Sequence, residues 1–202
     1  MPQGKVIAVP DDGLTTRQRR SRPLLMVHTG DGKGKSTAAF GLALRAWTAG
    51  WPIGVFQFTK SPKWKSGEEA ALKSLDRVHQ STGEGAAVTW HKMGEGWSWL
   101  RTQPEDHAKA ARAGWEQVKA DLGAERYRML ILDEFTYPLS NGTLDVTEVL
   151  ATLAERPGTQ HVVITGRRAH PDLVAAADLV TEMTKIRHPM DAGRKGQAGI
   201  EW

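Results

Sequence analysis

One nine-residue stretch limits what this chain can fold into more than any other: Thr29-Gly30-Asp31-Gly32-Lys33-Gly34-Lys35-Ser36-Thr37. It follows directly on the apolar run that begins at Leu24 and leads straight into a helical run, Ala38–Trp47. Strand, glycine-rich turn and helix in that order form the frame of a phosphate-binding loop (P-loop). The glycines let successive N–H groups converge into an anion nest, and the helix adds its unpaired N–H groups and the positive end of its dipole. Lys35 supplies a point charge for phosphates, Lys33 a second one, and the Ser36 hydroxyl is placed for Mg²⁺. The usual pattern has Gly where Thr29 stands, so the strict match is confined to Gly34-Lys35-Ser36. Such a tripeptide arises by chance in roughly one chain in ten. Its setting, with a strand before, a helix after and two more glycines at Gly30 and Gly32, separates it from a glycine-rich surface turn.

A loop of this kind needs an acidic partner on a neighbouring strand. Met129-Leu130-Ile131-Leu132-Asp133-Glu134 supplies one, four apolar residues ending in two carboxylates. Asp133 is a candidate to hold Mg²⁺ directly or through water, and Glu134 to ligate it or to polarise a nucleophile. The residue types alone leave both divisions of labour open.

The rest of the chain alternates apolar runs with helical periodicity, as a parallel sheet covered by helices does. Six strands are expected: Leu24–Thr29, Ile53–Phe58, Val88–His91, Met129–Asp133, His161–Thr165 and Leu179–Glu182. Ala108, Ala111, Trp115, Val118 and Leu122 recur at helical spacing, with Thr102 and Glu105 as a capping box. Asp145, three residues before Glu148, signals another helix start, led into by the turn Asn141-Gly142. The expected fold is α/β, P-loop NTPase-like (RecA-like), with a mostly parallel sheet of about six strands and helices on both faces.

At 202 residues one domain is the prior, here 24–202, preceded by a basic arm at 1–23 that carries Arg17, Arg19, Arg20 and Arg22 and is expected to be mobile without ligand. Residues 191–202 show neither helical nor strand period and read as a loop or a tail ordered on binding. The absence of cysteine excludes disulfides, zinc ribbons, iron–sulfur clusters and thiol nucleophiles. No apolar run approaches the roughly 20 residues that cross a bilayer. The first 22 residues lack the apolar core of a signal peptide, so a cytoplasmic location is expected. A net charge of +4 suits a phosphate-bearing ligand without pointing to nucleic acid.

With these residues in view, the chain resembles the P-loop ATP:corrinoid adenosyltransferases from about Leu24 onward. The resemblance rests on ordered blocks: the loop continued through Ala38-Ala39-Phe40-Gly41, then Gln57-Phe58-Thr59-Lys60, Gly94-Glu95-Gly96-Trp97-Ser98-Trp99, Leu132-Asp133-Glu134-Phe135-Thr136-Tyr137, Ile164-Thr165-Gly166-Arg167 and Asp191–Glu201. The resemblance implies that the Co(I) of a reduced corrinoid attacks the 5′ carbon of ATP and expels tripolyphosphate, with no phosphoryl group transferred. The implied site is Thr29, Gly30, Asp31, Gly32, Lys33, Gly34, Lys35, Ser36 and Thr37 on ATP, and Ser36, Asp133 and Glu134 on Mg²⁺. Lys35, Ser36, Glu134, Trp97 and Trp99 carry catalysis, the two tryptophans by displacing the lower axial ligand of the corrinoid. A flavoprotein reductant such as a flavodoxin and a homodimer are implied as well, with no nucleic acid and no membrane. Asp31 and Ser36 stand where many relatives have Asn and Thr. Two other classes share the loop and its carboxylates: a P-loop kinase or ATP hydrolase, which would transfer the γ-phosphate, and a nucleotide-gated binding module, which would form no product.

Overall fold

A computed structural model describes residues 13–59, 66–93 and 104–201. Six strands, β1 Leu25–Thr29, β2 Ile53–Gln57, β3 Val88–Lys92, β4 Met129–Asp133, β5 His161–Thr165 and β6 Leu179–Glu182, form one sheet in the order β3-β2-β4-β5-β1-β6. Every pairing is parallel. All six expected strands are present; β4, β5 and β6 have the expected limits and the others differ by one residue at one end.

The sheet explains the composition of its strands. β1, β2, β4 and β5 are buried along their whole length, so they read as near-continuous apolar runs. On one face lie α2 Lys35–Thr48 and α3 Gly67–Thr82, closing a core that includes Met26, Phe40, Val55, Leu72, Ile131 and Val163. On the other lie α4 Pro104–Gly123, the short α5 Thr136–Ser140, α6 Val146–Glu155 and α7 Pro171–Ala176, over Trp115, Val118, Leu122, Leu139, Val149, Leu153 and Leu173. The apolar stripe of α4 is buried from Ala111 to Leu122, and Trp115 is 1% exposed. Truncating a side chain of that size in such a place costs about 3–5 kcal/mol. The result is an α/β fold of the P-loop NTPase-like kind.

Of the two expected capping boxes, one lies partly outside the described residues and the other does not form. Thr102 of the expected box before α4 lies outside the described residues. Before α6, Asp145 accepts from the Thr147 N–H at 2.8 Å, but no reciprocal box forms. Glu148 instead accepts from Trp115 Nε1 and Lys119 Nζ, tying α6 to α4. Of the basic arm, residues 13–23 are described: Thr16–Arg20 form a short helix, α1, opened by a Thr15/Gln18 capping box.

Because every strand runs the same way, all six carboxyl ends collect at one edge, where sheets of this kind carry their ligands. β5 sits between β1, which carries the phosphate loop, and β4, which carries the carboxylates.

Candidate active site

The loop begins where β1 ends. Gly34 holds the N-cap of α2 at φ 112°, a left-handed conformation that costs a side-chain-bearing residue heavily, and no described side chain caps the helix. No carboxylate stands in the first turn of α2, so its N–H groups and dipole remain available for an anion. The other glycines answer to a crowded neighbour. A Cβ on Gly32 would lie 2.6 Å from the Met183 carbonyl oxygen, and one on Gly30 at 2.5 Å from the same atom. That carbonyl accepts from the Gly32 N–H, and the Met183 N–H donates to the Thr29 carbonyl, so the chain leaving β6 braces the loop from outside.

Thr29 occupies the position where the usual pattern has Gly, and its side chain makes a contact that glycine could not. The hydroxyl accepts from the Ala169 N–H at 3.2 Å, fastening the loop to the chain after β5. Lys35 folds back, donating to the carbonyls of Gly30 at 2.8 Å and Gly32 at 2.6 Å. Burial pushes its pKa below the usual lysine value, as does Arg167, against the opposing pull of Glu134 and Asp31. A lysine held this way gains from an arriving polyanion, which relieves the desolvated charge. Lys33 pairs with Glu201 near the end of the chain. Asp31 is exposed, 3.9 Å from the Arg167 guanidinium, and Thr37 is exposed on the first turn of α2.

Asp133 ends β4 and is fully buried. Its Oδ1 accepts from the Ser36 hydroxyl at 2.7 Å and the Thr165 hydroxyl at 2.8 Å, and its Oδ2 accepts from Gln57 Nε2 at 3.0 Å. The loop serine and the carboxylate strand are thus hydrogen-bonded directly, although β4 is not the immediate neighbour of β1 that the sequence pattern leads one to expect: β5 lies between them. Glu134 follows at φ 59°, a left-handed backbone that a glutamate adopts only where its surroundings impose it. Its N–H donates to Thr165 Oγ1 at 3.0 Å.

The register of the sheet shows why these groups meet. Gln57 is paired with both Lys92 and Asp133, and His28 with both Thr165 and Thr181, while Leu132 opposite Ile164 brings Asp133 level with Thr165. Lys92, Gln57, Asp133, Thr165, His28 and Thr181 thus form one polar row across all six strands, on the α2 and α3 face and one step beyond the apolar core. Lys92 closes its end of the row on Glu69 of α3 at 2.8 Å. Among the described residues His28 is buried without a hydrogen bond from either ring nitrogen, and burial lowers its pKa, which favours the neutral ring.

Sequence reasoning singled out Asp133 and Ser36 but assigned no role to Gln57, Thr165 or Arg167, although each falls in a block quoted for the resemblance. Their shared signal is modest: Gln57 and Thr165 are the polar final residues of apolar strands. Trp97 and Trp99, the residues expected to meet the corrinoid, lie outside the described residues.

The sequence profile of the ATP:corrinoid adenosyltransferases BtuR/CobO/CobP matches residues 21–202, which includes the loop, the carboxylate strand and the brace after β6. The chain belongs to this family. It is similar to the corrinoid adenosyltransferase of Pseudomonas aeruginosa, with 38% identity over 195 residues covering 96% of this chain and 91% of that protein. The corrinoid adenosyltransferase of Escherichia coli K12 is 37% identical over 191 residues, covering 95% and 91%, and that of a Sinorhizobium species 40% over 181 residues, covering 89% and 80%. As a member of the ATP:corrinoid adenosyltransferases the chain is an enzyme, a transferase of cobalamin biosynthesis whose substrates are ATP and a corrinoid. No helix among the described residues is long and apolar enough to cross a membrane.

Proposed function

We propose that the chain transfers the 5′-deoxyadenosyl group of ATP to the Co(I) of a reduced corrinoid, with the phosphate loop holding the leaving group. The cobalt electron pair attacks C5′, the C5′–O5′ bond breaks, and O5′ departs with its electron pair as part of tripolyphosphate. The nucleophile carries no proton, so the site needs no general base. What must be stabilised is the anion that leaves, and the observation that carries this reading is Lys35 at the mouth of the loop beside a helix N-terminus without a side-chain cap. The nest of Gly30 to Thr37 receives the triphosphate. Lys35 exchanges its two carbonyl partners for phosphate oxygens, and Lys33 and Arg167 add charge at the rim.

The side chains around Asp133 suit Mg²⁺. Ser36, Asp133 and Glu134 offer only hard oxygen donors, and no three His, Cys, Asp or Glu side chains form a closed cage among the described residues. One or two carboxylates completed by phosphate and water is how Mg²⁺ is usually held. When bound, the ion supplies further neutralisation of the triphosphate. Asp133, held by three donors, fixes the Ser36 hydroxyl, and the negative charge of Glu134 opposes the lowering of the Lys35 pKa that burial causes.

Trp97 and Trp99 take the corrinoid, filling the place of its lower axial ligand, which eases reduction of cobalt by a flavoprotein such as a flavodoxin. The enzyme is read as a cytoplasmic homodimer, with residues 24–202 as one domain behind the 1–23 arm.

Started from chemically reduced cobalamin with ATP and Mg²⁺, the enzyme should yield a light-sensitive adenosylcorrinoid and tripolyphosphate. Release of ADP would favour a kinase or hydrolase instead. Started from the Co(II) form with a flavoprotein, Trp99→Ala should lose more activity than from the prereduced form; equal losses would contradict the axial-ligand role.

A further inference from the structure

Among the described residues, Thr165 is the side chain of the polar row that touches both carboxylate residues. It ends β5, the strand interposed between the loop strand and the carboxylate strand, and is fully buried. Its hydroxyl proton goes to Asp133 Oδ1 at 2.8 Å, and its oxygen accepts the Glu134 N–H at 3.0 Å. A hydroxyl has one proton to give, and both acceptor and donor here are fixed by chemistry: a carboxylate oxygen only accepts and a backbone N–H only donates. The direction of both bonds is therefore set.

Each bond does separate work. The first shares Asp133 Oδ1 with the Ser36 hydroxyl, so the atom that orients the loop serine is itself held from the β5 side. The second grips the backbone of Glu134 where φ is 59°, so the bond stabilises the unusual turn that separates the direction of Glu134 from that of Asp133. The turn is locked from its far side as well. The Thr136 hydroxyl donates to the Arg167 carbonyl at 2.6 Å, and Gly166 packs so closely that a Cβ there would lie 2.0 Å from Thr136 Oγ1. The end of β5 and the turn after β4 thus form one interlocked unit, with Thr165 as its buried end.

From this geometry we infer that Thr165 is a positioning residue of the metal–nucleotide site: its hydroxyl sets the relative orientation of the Asp133 and Glu134 carboxylates against the phosphate loop. The inference rests on reading Asp133 and Glu134 as the pair that serves the divalent cation. It requires the hydroxyl, not merely a side chain of threonine's size. Valine keeps the shape and removes both bonds, whereas serine keeps both bonds and removes a methyl group.

The test uses Mn²⁺ with ATP as a probe and free Mn²⁺ read by electron paramagnetic resonance, alongside amide exchange at Glu134 read by nuclear magnetic resonance. Thr165→Val should weaken Mn²⁺ binding in the presence of ATP about tenfold, the scale of loss when an outer partner of a metal ligand is removed. It should also speed exchange of the Glu134 amide relative to its neighbours. Thr165→Ser should stay within about twofold of the parent in both readouts, on the same general scale. If Thr165→Val does not fold, Thr165→Cys, whose thiol is a weak donor and acceptor, takes its place with the same expectation. Parent-like Mn²⁺ binding in a folded valine or cysteine variant, or a serine variant as weak as valine, would overturn the inference. Were the parent enzyme to bind no Mn²⁺ with ATP, the metal reading of the carboxylates would fall, while unchanged Glu134 exchange in the valine variant would separately refute the clamp.

Discussion

At the carboxyl-terminal edge of the sheet, Asp133 gathers two hydroxyls and an amide, Glu134 bends into a left-handed turn and Lys35 folds against its own loop. At the amino-terminal edge, Trp51 lies flat on His161 with ring centroids 5.0 Å apart, the Arg128 guanidinium sits 4.6 Å above the same indole, and the Leu24 N–H donates to His161 Nδ1. Both edges are polar groups packed at the end of an apolar core, but they stand in opposite relation to stability. The first keeps a partly desolvated cation and a strained backbone that folding alone does not need. The second closes the sheet ends with stacking and a hydrogen bond. On the proposed reading, the phosphate site lies at the first edge, where a lysine and a left-handed glutamate stand beside an uncapped helix N-terminus.

The comparison breaks most readily at Lys35. Lys35→Ala should lower turnover by about 10²–10³-fold, the scale of losing one preorganised charge on a leaving group. Its melting temperature should change little, since removing a desolvated charge and losing the two bonds to the Gly30 and Gly32 carbonyls act in opposite directions. Parent-like turnover would remove Lys35 from the leaving-group role, and a large drop in melting temperature would place it in the structural class with Trp51.

Trp51→Ala should do the reverse. Loss of the stack and of the cation over the ring should cost about 1–2 kcal/mol. In a chain of this size that corresponds to a melting temperature lower by about 4 °C. Turnover measured well below the transition should be unchanged; a loss there would mean that the two edges are coupled.

A smaller effect should appear with pH. His161 accepts from Leu24 at Nδ1 and must be neutral to do so; burial first, then Arg128 and Arg156, lower its pKa. His28 and His91 are lowered by burial in the same direction. Below the unfolded value of about 6.5 the unfolded chain binds more protons than the folded one, so stability falls as pH drops from there toward the folded pKa values. The melting temperature should accordingly be a few degrees lower at pH 5 than at pH 7.5. His161→Asn should reduce that pH dependence; an unaltered slope would exclude His161 as a contributor.

What sequence reasoning reached, and what it did not, follows from the same physics. The loop and the carboxylate strand are local patterns, a turn between a strand and a helix and an apolar run with an acidic end, so both could be read directly. The polar row could not. Gln57, Asp133, Thr165 and His28 come from four distant stretches, and only the parallel register makes them neighbours. Thr29 looked like a departure from the loop pattern until its bond to Ala169 gave it a partner 140 residues away. Asp145 and Glu148 have the spacing of a capping box, yet Lys119 and Trp115 of α4 claim the glutamate, a tertiary contact that local spacing cannot reveal. Trp97 and Trp99 rest on the family resemblance and lie beyond the described residues.

On the proposed reading the fold grips ATP by its phosphates so that carbon, not phosphorus, is attacked. ATP carrying ¹⁸O in the bridge between C5′ and the α-phosphorus tests it directly. Attack at C5′ breaks the carbon–oxygen bond, so the label should appear in tripolyphosphate and be absent from the adenosyl product. Label retained in ADP or AMP, with phosphate or pyrophosphate released, would contradict it.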